Sequence, residues 1–180
     1  MEDTGDFENI LEQEEKTYAI TLLQNVVGLL LAQPWTLACA ESLTGGLLAA
    51  ALTRFAKSSN FFLGSVVCYH PRIKVEAVGV DPALIRQFGV VSAPVAQAMA
   101  LGIAGRFQAR IGVSTTGVAG PGPHGGVAVG TVFAAVALDQ RCKVQRLDLR
   151  GDRQQIRHAA VLQTLKLLEN NLRTASVTGG

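Results

Sequence analysis

The chain has 180 residues and a formal net charge of +2, with 48% apolar, 17% charged and 6% aromatic side chains. That length suits one domain, and the composition excludes a disordered chain, a coiled coil and an aromatic-rich RNA-binding platform. Residues 1–15 hold seven acidic and no basic side chains, so positions 16–180, with 16 basic and seven acidic residues, stand at +9, which fits either an anionic ligand or a solvated basic surface.

In chain order, residues 1–9 read as a frayed acidic lead-in. Apolar residues at Ile20, Leu23, Val27 and Leu30 then recur at helical spacing, and the helix is expected to end before Gln33 and Pro34. Trp35 to Ala40 reads as a short buried strand, joined by a tight turn to a helix over Thr44–Phe55. A second strand, Gly64–Tyr69, precedes a short helix opened by Pro71, which suits a first helical turn because its missing N–H would be unpaired there anyway. Ser92 is placed to N-cap a helix carrying Val95, Met99 and Ile103, which leads into a strand over Ile111–Thr116. After the Gly/Pro-rich loop GVAGPGPHGG, residues 117–126, Gly130–Leu138 and Val144–Leu149 read as a hairpin pair. Gly151 and Asp152 cap a last helix with Ile156, Ala160 and Leu165 on its buried face. No repeat, linker or second domain is visible.

Cys39, Cys68 and Cys142 are too scattered for a disulfide framework or a metal site, and each reads as a small buried hydrophobe. The acidic N-terminus is unlike a signal peptide, and the longest apolar run, Val26–Ala32, is too short to span a bilayer. A soluble, cytoplasmic protein is expected.

Four segments carry chemistry. In TLACAESLTGGLLAA, residues 36–50, a strand runs out ahead of Ser42, and Thr44, Gly45 and Gly46 open the next helix. The Ser42 hydroxyl is thereby expected at a helix N-terminus, where unpaired N–H groups favour a developing oxyanion and glycines let a substrate approach. The alternative is that Glu41, Ser42 and Thr44 only cap the helix. A serine needs a base, and His70, His124 and His158 show no triad or metal-ligand spacing. In VVCYHPRIK, residues 66–74, Tyr69 ends a strand with Lys74 one helical turn beyond. A buried lysine with a lowered pKa can serve as a base, although spacing alone does not exclude an ordinary surface lysine.

The loop holds a literal GxGxxG at Gly120, Gly122 and Gly125, but prolines interrupt it and a strand follows it. It is therefore expected to form a pocket wall or a plain turn rather than a dinucleotide site. Arg153 and Arg157, at i and i+4 in the first turns of the last helix, would share one face near its positive end, which suits a phosphate or a solvated face.

These segments, in this order, resemble the CinA C-terminal domain family, whose characterised members are nicotinamide-nucleotide amidases. The likeness is carried by AESLTGG (40–46), VVCYHPRIK (66–74), GVVSAPVAQAMALG (89–102), TTGVAGP (115–121), VGTV (129–132) and GDR (151–153). The resemblance implies a single three-layer α/β/α domain with a mixed central sheet over residues 18–173, between an acidic N-terminal extension (1–17) and a disordered tail (174–180). It implies Ser42 as nucleophile assisted by Tyr69 and Lys74, Arg153 in the active site, and Thr116 and Gly117 against the nucleotide. The implied reaction is hydrolysis of the carboxamide of nicotinamide mononucleotide to nicotinate mononucleotide and ammonia, in pyridine nucleotide salvage.

No metal or organic cofactor is implied, nor a membrane or specific nucleic acid, and a homo-oligomer is expected. Lys57 stands where the family usually has the glycine of a Gly-Ser-Ser turn, Val127 and Ala128 where it has Lys-Pro, and His70 and Pro71 where it has a small polar pair. The family often places this domain behind a larger hydrolase domain, whose activity is expected to be absent here. The rival readings are a catalytically silent nucleotide binder with a regulatory role in competence or DNA damage, and a nucleic-acid binder using the basic body.

Overall fold

The computed structural model describes residues 4–178. Five strands form one sheet, β1 (Leu37–Glu41), β2 (Phe62–Val67), β3 (Ile111–Gly117), β4 (Thr131–Leu138) and β5 (Arg141–Asp148), in the order β2-β1-β3-β4-β5. β1 is parallel to both β2 and β3, whereas β3, β4 and β5 run antiparallel in succession. Six helices cover the sheet: α1 (Thr4–Leu31), α2 (Leu47–Leu52), α3 (Pro71–Val78), α4 (Pro82–Phe88), α5 (Ala93–Phe107) and α6 (Arg153–Thr178).

Strand alternation sorts the side chains into two cores. Leu37 and Cys39 of β1, with Ile111 and Val113 of β3, face α1, α2 and α6, where Val26, Leu30, Leu165 and Leu168 complete the core. Ala38 and Ala40 face the other way, onto Val95, Met99 and Ile103 of α5 and Val78 of α3. The small residues let α5 lie close on the sheet: a Cβ on Gly112 of β3 would collide with the carbonyl oxygen of Ala100. The expected three-layer α/β/α domain with a mixed sheet is therefore the architecture observed. Because β1, β2 and β3 are parallel, their C-terminal ends at Glu41, Val67 and Gly117 lie along one rim of the sheet, where ligands bind in open α/β folds.

Several local expectations need correction. The first helix starts at Thr4 rather than after a frayed lead-in, and residues 1–3 of that lead-in lie outside the described residues. The tail expected to be disordered, residues 174–180, is helical as far as Thr178, and Gly179 and Gly180 lie outside the described residues. The helix expected over Thr44–Phe55 is reduced to Leu47–Leu52, preceded by a turn through residues 42–46. Helix α4, whose Asp81 N-cap accepts from the Ala83 N–H, was not expected from the apolar pattern. Ser92 does not cap α5 with its side chain, since its hydroxyl donates to Gly89 O instead. The capping of α6 holds: Asp152 Oδ1 accepts from the N–H groups of Gln154 and Gln155, and Gln155 Oε1 accepts from the Asp152 N–H.

Candidate active site

Ser42 follows the last residue of β1, and its N–H donates to Thr115 O of β3 at 3.0 Å, so the sheet itself fixes the start of the turn. Lys74 enters from α3. His70 caps that helix, its Nδ1 accepting from the Arg72 N–H at 3.2 Å, and Pro71 opens it. The lysine is thereby directed inward, only 1% exposed, with Nζ 2.8 Å from Ser42 Oγ and 2.6 Å from Cys68 O. Burial lowers its pKa, and the nearby Cys68 acts weakly in the opposite sense. In its neutral form the amine can donate a hydrogen to Cys68 O and turn its lone pair toward the Ser42 hydroxyl, the arrangement a general base needs beside a nucleophile.

Tyr69, 56% exposed, stands at the mouth of the same pocket. Its hydroxyl accepts from Arg153 Nη2 at 2.7 Å, while Arg153 Nη1 donates to Gly120 O at 2.6 Å. The strand expected over Gly64–Tyr69 runs instead over Phe62–Val67, and Arg153 ties Tyr69, two residues beyond its end, to the Gly/Pro loop across a cavity of about 620 Å³. The loop forms one wall through Gly120, Pro121 and His124, as expected, and a bridge between His124 and Val127 closes its tip. Thr116 and Gly117 line the cavity at the end of β3, with Thr116 Oγ1 donating to Val90 O at 2.8 Å.

Other expected residues fall elsewhere. Thr44 is fully buried, its Oγ1 2.8 Å from Thr115 Oγ1, and neither it nor Gly45 nor Gly46 lines the cavity. The N-terminus of α2 does not face a substrate oxyanion. The Glu41 carboxylate occupies it, accepting from the N–H groups of Gly46, Leu48 and Ala49 at 2.9–3.1 Å and from the Ser65 hydroxyl at 3.1 Å. A buried carboxylate needs such partners. Arg157 does not join Arg153 on a shared anion: it donates to Leu43 O, Thr44 O and Gln154 Oε1. Cys39 and Cys68 are buried, as expected, and Cys142 is half-buried. Among the described residues, no cluster of His, Cys, Asp and Glu is placed to hold a metal, and no helix is long and apolar enough to cross a membrane.

Comparison with known proteins identifies the family. The CinA C-terminal domain family matches residues 19–172. A CinA-like protein of Mycobacterium marinum is 47% identical over 140 residues, 76% of this chain and 32% of that protein. One from Frankia casuarinae is 43% identical over 147 residues, 82% of this chain and 34% of that protein. The chain thus spans about a third of the length of the curated relatives it matches. A crystal structure of a competence-damaged protein (CinA) superfamily protein from Klebsiella pneumoniae superposes with a TM-score of 0.84 at 30% identity, covering 87% of this chain and 98% of that one. The fold, the ordered segments and these relatives together establish that the chain belongs to the CinA C-terminal domain family.

Proposed function

We propose that the protein is a serine-lysine amidohydrolase that converts nicotinamide mononucleotide to nicotinate mononucleotide and ammonia. The observation that carries this reading is the buried 2.8 Å contact between Lys74 Nζ and Ser42 Oγ, with burial lowering the lysine pKa. Ser42 Oγ attacks the carboxamide carbon while its proton passes to the neutral Lys74 amine. Lys74 returns that proton to the departing nitrogen, ammonia leaves, and an acyl-serine ester remains. Water, deprotonated by the same amine, then attacks the ester, releasing the carboxylate and restoring the serine hydroxyl. Tyr69, held by Arg153, borders the same cavity and assists. Thr116 and Gly117 contact the nucleotide, and Arg153 is the cationic group suited to its phosphate.

The test is ammonia release by the purified full chain from nicotinamide mononucleotide, nicotinamide riboside and free nicotinamide. Release from the mononucleotide in preference to the other two is the expected result. Tight nucleotide binding with no ammonia from any of them would favour the silent regulatory reading instead. Weak, strongly salt-dependent DNA binding with no amidase activity would favour the nucleic-acid reading.

A further inference from the structure

The turn that carries Ser42 is held from two sides by opposite charges. On one side the fully buried Glu41 carboxylate collects N–H groups, those of Gly46, Leu48 and Ala49. On the other side Arg157 collects carbonyls: its Nε donates to Leu43 O at 2.9 Å and its Nη2 to Thr44 O at 3.0 Å. The third arm of the guanidinium, Nη1, is anchored on Gln154 Oε1 at 2.8 Å. Gly45 leaves room for this clamp, because a Cβ there would stand 3.2 Å from Arg157 Nη2.

Peptide planarity transmits this grip. In a trans peptide the C=O and N–H point in opposite directions, so fixing one fixes the other. The Ser42–Leu43 peptide is fixed by the Gly45 N–H, which donates to Ser42 O at 3.1 Å, and the next two peptides are fixed by Arg157. The Leu43 N–H, directly beside the hydroxyl-bearing residue, is left without an acceptor among the described residues, and Ser42 and Leu43 both line the cavity.

We infer that Glu41 and Arg157 are positioning residues that hold the Ser42–Leu43 peptide for attack, with the Leu43 N–H receiving the negative charge that builds on a bound carbonyl oxygen. The inference rests on the reading of Ser42 as nucleophile. The clamp has a clear physical use: a donor fixed in advance stabilises developing charge without reorganising during the reaction. Because the α2 amides are taken by Glu41, the Leu43 N–H of the turn is the backbone donor left beside Ser42.

The test follows Ser42 without relying on the natural substrate. A fluorophosphonate probe is added to the full chain; labelling forms the Ser42 Oγ–P bond, expels fluoride and passes the hydroxyl proton to Lys74. Arg157→Ala is expected to slow labelling by roughly 10²-fold, in the range set by small displacements of a reacting group. Arg157→Lys should fall between the two, since an ammonium lacks the planar fork that spans both carbonyls. Added guanidinium should restore labelling of Arg157→Ala but not of Lys74→Ala.

With nicotinamide mononucleotide, Arg157→Lys and Glu41→Gln should lower kcat while KM stays within about twofold, the pattern of a lost transition-state interaction. If Arg157→Ala does not fold, these two variants carry the same comparison. A raised KM with unchanged kcat in Arg157→Lys, undiminished labelling in both milder variants, or no labelling of wild-type Ser42 would overturn the inference. Clamp-dependent labelling without ammonia release would support it while removing the proposed substrate.

Discussion

Ser42 and Lys74 meet at 2.8 Å although 32 positions separate them in the chain. Ser42 is delivered by the end of β1 and Lys74 by the first turn of α3, and the parallel pairing of β1 with β2 brings those two points to one rim. Neither residue has room to wander, since Ser42 is 8% and Lys74 1% exposed. Buried polar side chains held this way are positioned by the fold rather than by a ligand.

The first prediction concerns the nucleophile. Ser42→Ala removes the hydroxyl and leaves a small side chain on an unchanged turn, so the fold should be retained. Turnover of nicotinamide mononucleotide should fall by ~10³-fold or more, as when other catalytic nucleophiles are removed. A variant retaining a tenth of the wild-type rate in an ammonia-release assay would assign the chemistry to another residue.

The second prediction concerns Arg153. Its two hydrogen bonds, to Tyr69 Oη and Gly120 O, place it between the strand end and the loop. If it meets the phosphate, Arg153→Ala should weaken binding of nicotinamide mononucleotide by ~1.5–3 kcal/mol, the range for a hydrogen bond to a charged group. Binding of the uncharged riboside should change far less. Calorimetric titration of both compounds distinguishes this from equal losses, which would mean that Arg153 serves only to hold Tyr69 and the loop.

Most elements were legible in the sequence because apolar runs and helical periodicity record burial directly: the apolar run ending at Ala40 reads as a buried strand, and β1 is buried throughout. Which face each of its side chains takes was not read from the sequence; the fold sends Leu37 and Cys39 to one core and Ala38 and Ala40 to the other. The meeting of Ser42 and Lys74 was legible because a strand-to-helix turn and a proline-opened helix fix where side chains emerge. The contacts of Arg157 were not legible. Spacing from Arg153 says that two side chains share a helix face, but not that carbonyls 113 and 114 positions away stand ready to accept from one of them. The α2 N-terminus was misread for a related reason: local sequence shows that amides are available, while only the tertiary fold shows that Glu41 already holds them.

The third prediction is the pH dependence of catalysis. Lys74 must be neutral to accept a proton, and burial lowers its pKa below the ordinary lysine value. The kcat/KM for nicotinamide mononucleotide should therefore rise with pH through an ionisation below the ordinary lysine value. Lys74→Arg, which keeps the charge but cannot deprotonate, should be as inactive as Lys74→Ala. A wild-type profile flat from pH 6 to 9 would remove Lys74 from the role of base and turn attention to Tyr69.

The last prediction takes the same ionisation to stability. In the unfolded chain Lys74 titrates at its ordinary value, while in the folded protein its pKa is lowered by burial. Between those two values the unfolded chain binds more protons than the folded one, so unfolding is favoured by acid and stability rises with pH. Below the folded-state pKa the full cost of burying an ammonium is present, and above the unfolded-state pKa it has gone. Lys74→Met keeps the side-chain length and removes the titration, although it also leaves Cys68 O without the donor that now bonds it at 2.6 Å. That loss is independent of pH, so it shifts the variant's whole curve without tilting it. Melting temperatures measured from pH 7 to 10 should therefore climb more steeply for the wild type than for Lys74→Met. Each 1 kcal/mol of differential stabilisation corresponds to about 2–4 °C for a chain of this size. Parallel curves for the two proteins would mean that Lys74 titrates alike in the folded and unfolded chain, so that burial does not lower its pKa, and the base would have to be accounted for without it.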